Sequence, residues 1–194
     1  MGAWLEKLNE TFLLTGYYRM MLEGLGNTVV ITLGALIIGV VIGTLIAVTK
    51  YFAEDSPALA PLAWLCDVYV KVIRGIPVVV LLLIFYFVIF AFSEGTSVAV
   101  LTFGINSGAY MAELIRGGIH AVDQGQMEAG RSLGLSRLQT MERIIFPQAL
   151  RHILPAIGNE FIALIKETSV AGYVAVVDVT RAGNLVRNNT YDAV

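Results

Sequence analysis

A chain of 194 residues with 57% hydrophobic and 14% charged residues is too apolar for an ordinary soluble domain; such domains carry about 25% charged residues. The formal net charge of −2 offers no basic surplus to meet phosphates, which excludes a general nucleic-acid-binding role. One cysteine, Cys66, excludes an internal disulfide framework and a cysteine-based zinc site, and fits a small buried apolar residue.

A membrane-spanning helix needs about 20 mostly apolar residues. Residues 24–49 carry no charge and lie between Glu23 and Lys50. They are too long for a signal-peptide core and have no cleavage pattern, so they predict the first span. Within them, Gly39-x-x-x-Gly43 permits another helix to approach closely, or simply reflects membrane-helix composition. Residues 58–92 are too long for one straight span and contain Asp67, Lys71 and Arg74-Gly75-Ile76-Pro77. They predict a long helix entering from the cytoplasmic side and bent near Pro77, with Asp67 and Lys71 able to pair at i,i+4. Residues 97–122 are rich in small side chains (Gly104, Ser107, Gly108, Ala109, Ala112), which suits burial in a bundle. Glu113 and Arg116 follow near its inner end.

Residues 123–151 break the membrane pattern and hold Arg131, Arg137, Arg143 and Arg151. Short basic loops stay in the cytoplasm. This places the loop inside, the turn near 51–57 inside, 93–96 outside, and both termini outside. Asp123 is a candidate N-cap for a short helix through about Leu133, with Gly134 as its left-handed stop. Ser136-x-x-Gln139 fits a capping box for a second helix. That helix carries Leu138, Met141, Ile144 and Ile145 on one side, and Pro147 is expected to end it. Short helices need packing partners. Ala129, Gly130 and Gly134 leave room for a soluble subunit to approach, with Glu128 able to cap or pair; an amphipathic pair resting on lipid headgroups is the alternative. A fourth apolar block, 152–177, carries Pro155, Glu160, Lys166 and Glu167, so that only its first part is expected to span. The tail, 178–194, is polar and too short to cross.

Glu128-Ala129-Gly130 with Gly134, then Phe146-Pro147, resembles the EAA motif of ABC importer permeases. The longer string GAYMAELIRGGIHAVDQGQMEAGRSLGLS, together with PQALRHILP, KETS and Arg74-Gly75-Ile76-Pro77, resembles the polar amino acid uptake branch, and the likeness runs from about Gly24 onward. It implies an all-α integral membrane protein with the transmembrane-domain fold of a type I ABC importer. Its domain plan is an extracytoplasmic segment 1–23, a permease domain 24–177 with the coupling loop 123–151, and an extracytoplasmic tail 178–194. The family's fifth helix is expected after Tyr191, so the chain reads as truncated before it. Three positions depart from the family: Gly130 for the usual Ala, which should loosen its helix by about 1 kcal/mol; Phe146 for Leu; and Leu81 where many relatives carry Gln.

The resemblance further implies a multi-pass permease of the bacterial cytoplasmic (inner) membrane that translocates polar amino acids. Its expected partners are a second permease subunit (a copy or a relative), two ATP-binding subunits, an extracytoplasmic solute-binding protein and the lipid bilayer. Glu128, Ala129, Gly130 and Gly134 would dock the ATPase. No phosphate-binding Gly-rich Lys-Ser/Thr loop is present, so ATP and Mg are expected on the partner, with no cofactor, metal or catalytic residue on this chain. Charges in spanning segments are candidate functional groups because they are costly there. Arg74 is a candidate for a substrate carboxylate or a helix end, beside the Pro77 bend; Glu113, Glu160 and Glu167 are candidates for an amino group. Mutual pairing (Asp67–Lys71, Glu113–Arg116, Lys166–Glu167) is the plainer alternative. The rival functions are an ion-coupled secondary carrier, for which no internal repeat is visible, a membrane scaffold without transport, which leaves the charges in the spans unexplained, and an importer of the same class for an osmolyte, opine or organic anion.

Overall fold

The computed structural model describes residues 16–54, 56–91 and 93–190. Most of the 1–23 segment, and the position after Tyr191 where a further helix is expected, lie outside them. Every regular element among the described residues is helical, and short 3-10 and π turns and loops join the α-helices. In chain order these are α1 (Tyr17–Ala53), α2 (Ala60–Gly75), α3 (Val78–Ile84), α4 (Gly95–His120), α5 (Gly125–Ser132), α6 (Arg137–Thr140), α7 (Phe146–Glu167) and α8 (Val179–Thr190). All-helical construction suits a chain in lipid, because a helix satisfies its own backbone polar groups where water is absent.

Among the described residues, α1 and α4 are long and apolar enough to cross a membrane. A third crossing counts if the segment Pro57–Gly75 and its continuation Val78–Ile89 are taken as one broken span, bent by 104°. The predicted bend near Pro77 is therefore a break. Ile76 is extended (φ −98°, ψ 127°) because the proline ring bars the preceding residue from helical ψ, and Pro77 itself has ψ 134°. Two successive non-helical residues redirect the chain more sharply than a proline kink, which keeps the helical path. The helix restarts when Leu81 N–H donates to the Pro77 carbonyl at 3.0 Å. Leu81 is itself buried in the core.

α1 is 37 residues, about 55 Å at 1.5 Å per residue, and so outruns a hydrocarbon core of about 30 Å. It packs along α4 through small residues. A Cβ at Gly39 would meet Ser107 Oγ at 2.7 Å, and one at Gly43 would meet Met111 Cβ at 2.4 Å. From the other side, Gly104 faces Ile38 and Gly108 faces Ile42. The Gly39-x-x-x-Gly43 spacing thus makes a close helix contact. Gly34 faces Val100, so the contacts advance together along both chains and the two helices run parallel. Parallel helices oblige the intervening chain to return, which is the work of the broken α2–α3 segment.

Two ends of the bundle follow. At one, the start of α1 holds α8: Asn27 donates to the Val177 carbonyl at 2.9 Å, and Thr28 Oγ1 accepts from Val179 N at 3.2 Å. Asp178, fully buried, caps α8 by accepting from Thr180 N and Arg181 N. At 12 residues, α8 is too short to cross. At the other end, Glu54 just after α1 meets Arg137 of the polar loop at 2.5 Å. The start of the first helix and the tail therefore share one end, and the 51–57 turn and the loop share the opposite one.

Pro147 does not end its helix. After α6 the hydrogen-bond ladder widens for one turn, with Phe146 N–H donating to the Met141 carbonyl five residues back, and Pro147 enters in the first turn of α7. The wide turn also rotates the face: Ile145 is buried, while Leu138 is 55% exposed instead of sharing its side. α7 runs for 22 residues with Pro155 inside it.

Candidate docking element and solute pathway

The docking element is built by local chemistry. Asp123 Oδ1 accepts from Gly125 N at 2.6 Å, capping α5 from just upstream of its first turn. At the far end Gly134 has φ +84°; its N–H donates to the Arg131 carbonyl, and Leu135 N–H donates to the Gly130 carbonyl at 3.1 Å. This paired pattern is the Schellman stop, which needs a left-handed residue and so favours glycine. Ser136 and Gln139 then form the predicted capping box, with Gln139 N donating to Ser136 Oγ and Ser136 N donating to Gln139 Oε1.

The four docking candidates have separate positions. Glu128 and Ala129 are exposed on α5. Gly134 is exposed, and a Cβ there would meet nothing within 4 Å, so its part is the turn. Gly130 is buried and faces inward: a Cβ at this position would meet Thr140 Cγ2 at 2.4 Å and Oγ1 at 2.7 Å. The loosening expected of glycine at this place is therefore opposed by a steric requirement for it. Leu133 is 80% exposed beside these residues and is not among the sequence-based candidates. The available signal is an apolar side chain directly before the glycine stop.

Cationic side chains tie this end together. Arg137 pairs with Glu54 and lies over the Tyr51 ring at 4.8 Å. Lys50 Nζ meets Asp67 Oδ1 at 2.6 Å, joining α1 to α2. Asp67 thus pairs with Lys50, and the predicted Asp67–Lys71 pair is replaced. An i,i+4 pair on one helix is worth only a few tenths of a kcal/mol, whereas Lys50 is brought to Asp67 by the packing of α1. A cleft of about 760 Å³ opens here, lined among others by Lys50, Tyr51, Trp64, Asp67, Met127 and Glu128. Glu160 and Glu167 do not line it.

The pathway candidates fall into two groups. In one, the Arg74 guanidinium lies over the Tyr110 ring at 5.1 Å, and Arg116 Nη2 donates to Glu113 Oε2 at 2.8 Å as the i,i+3 spacing predicts. Arg74 and Pro77 are both exposed. Tyr110 escapes a reading of the sequence because an aromatic in a small-residue helix reads as core. In the other group, Ser107 Oγ donates to Glu160 Oε1 at 2.8 Å, linking α4 to α7. Glu167, seven residues on, shares that face of α7 and has no ion-pair partner among the described residues. Lys166 and Glu167 do not pair with each other.

Residues 39–193 match the family model described as the binding-protein-dependent transport system inner membrane component. The probable amino-acid ABC transporter permease YckA of Bacillus subtilis (strain 168) is 35% identical over 191 residues, covering 96% of this chain and 82% of that protein. The glutamine transport system permease GlnP of Escherichia coli (strain K12) is 38% identical over 173 residues, covering 84% and 75%. Among solved structures, an amino acid ABC transporter with histidines superposes with TM-score 0.82 at 38% identity, covering 92% of this chain and 83% of that one. The chain belongs to the family of inner-membrane permease components of binding-protein-dependent transport systems. It is a pore-forming component with the transmembrane-domain fold of an ABC importer.

Proposed function

We propose that this chain is the permease subunit of an ATP-driven importer that moves polar amino acids across the bacterial cytoplasmic membrane. Two permease chains form the pore, two ATP-binding subunits sit at the end that carries α5, and a solute-binding protein delivers the amino acid at the end that carries α8. ATP and Mg belong to the ATP-binding subunits. The observation that carries this reading is the two-helix element at one end of the bundle, capped by its own side chains and stopped by the left-handed Gly134, with Glu128, Ala129 and Leu133 turned outward. The amino-acid assignment draws on the named relatives.

In this reading α5 seats in a groove of the ATPase, and closure of the ATPase pair moves α5 and the helices behind it. Glu160 and Glu167 present carboxylates along one face of α7 to the solute's amino group, with Ser107 orienting Glu160. Arg74, held over Tyr110, offers a guanidinium to the solute's carboxylate near the α2–α3 break. The test is uptake of labelled L-glutamine, L-arginine and L-cystine into proteoliposomes holding the permease with its ATPase subunit and binding protein. Uptake of at least one that requires ATP and the binding protein is expected. Uptake driven by a proton or sodium gradient without ATP contradicts it. Arg74→Ala and Pro77→Ala are each expected to lower uptake at least tenfold, and unchanged uptake in both removes the α2–α3 break from the pathway.

A further inference from the structure

A docking element can drive a membrane helix only if the two do not slip. The contact that prevents slip is specific here. Thr140 is fully buried at the junction where α6 turns into the wide turn that leads to α7. Its two branches straddle the position a Cβ of Gly130 would occupy. β-Branched side chains are stiff about χ1, and Thr140 Oγ1 is fixed further by donating to the Ser136 carbonyl at 3.0 Å. Ser136 is in turn held by its capping box with Gln139. Gly130, for its part, is locked by giving its carbonyl to Leu135 N–H in the Schellman stop. Each partner of the contact is immobilised by a separate set of hydrogen bonds, and both sets come from the short segment 130–140.

We propose that Thr140 is a positioning residue that seats α5, through the hollow at Gly130, on the root of α7, so that the docking helix and α7 move as one body. The proposal rests on the docking role inferred above for α5. It also accounts for glycine at position 130, where the family pattern has alanine: the hollow receives both branches of Thr140.

The experiment places spin labels at Ser132 of α5 and Leu154 of α7, both exposed, in a Cys66→Ala background of the full chain in nanodiscs. The interlabel distance distribution is recorded by double electron–electron resonance. A single narrow distribution is expected for the parent and for Thr140→Val, which keeps both branches. Thr140→Ala and Gly130→Ala are each expected to at least double its width. Gly130→Ala combined with Thr140→Ala is expected to return to within a quarter of the parent width, because the small residue has then changed sides. In the complex with the ATPase subunit, ATP with vanadate should leave the parent and Thr140→Val distances unchanged and should shift those of Thr140→Ala.

Equal widths in the parent, Thr140→Ala and Gly130→Ala overturn the proposal, as does a double variant no narrower than Gly130→Ala. If Gly130→Ala does not fold, the comparison of Thr140→Val with Thr140→Ala decides. A permease that retains no ATPase contradicts the docking role itself, while the nucleotide-free widths still report on the joint.

Discussion

Single side chains at this protein's helix ends and helix contacts make separable contributions. Glu94 precedes α4 and accepts from Thr96 N at 2.9 Å, from Ser97 N at 2.8 Å and from Ser97 Oγ at 2.6 Å. The Ser97 contacts first, then those from Thr96, pull its carboxyl from an ordinary value near 4.5 down to about 2. A carboxylate depressed on folding stabilises the fold fully above its unfolded value and loses that contribution as pH falls toward the folded one. Comparing thermal melting of the wild type with Glu94→Gln should therefore show the wild type ahead at pH 6, with the lead shrinking as pH falls from about 4.5; a lead constant down to pH 3 contradicts the charged cap. The glycines of α1 divide in the same way. A side chain at Gly43 meets Met111 Cβ and the Ala112 backbone, so Gly43→Val is expected to cost about 1–3 kcal/mol by overpacking. Gly26, also inside α1, has open space around it, and Gly26→Ala is expected to gain about 0.5–1 kcal/mol. Equal effects of the two substitutions on unfolding in detergent would contradict the close contact between α1 and α4.

At the scale of elements, what can be read in advance is whatever local rules decide. The capping box at Ser136, the left-handed Gly134 and the Glu113–Arg116 pair each follow from residues a few positions apart, and each is present. What cannot be read depends on packing from elsewhere in the chain. Asp67 chooses Lys50 over Lys71 because α1 delivers Lys50 to it. Pro147 passes into a continuous helix because a wider turn, bonded five residues back, precedes it, and no short residue pattern announces such a turn. The break at Ile76–Pro77 is half visible: proline marks the place, and the 104° change of direction comes from losing helical geometry at two residues. The Gly134 stop carries a prediction at this scale. At φ +84° any side chain is strained by about 1–2 kcal/mol, so Gly134→Ala should free the end of α5 while leaving membrane insertion intact. Recovery of the ATPase subunit with the purified variant is expected to drop severalfold. Normal recovery would detach the turn from docking.

For the whole molecule, the parallel pairing of α1 with α4 and the broken return between them set which pieces share an end. Apolar runs make that grouping of segments legible in advance, because the bilayer imposes a length on each crossing. The separation of the pathway candidates into an Arg74–Tyr110–Glu113 group and a Ser107–Glu160–Glu167 group is not legible, since it depends on how α2 and α7 each lie against α4. The central claim is that the Glu128–Leu133 face of α5 points into the cytoplasm and is covered by the ATPase. The most direct test is Leu133→Cys in a Cys66→Ala background, combined with a short thiol-to-amine cross-linker and a membrane-impermeant maleimide. A cross-link to the ATPase subunit is expected, with labelling by the maleimide in inside-out vesicles only after the ATPase is stripped away. Labelling of Leu133→Cys from the outside of intact cells contradicts the claim.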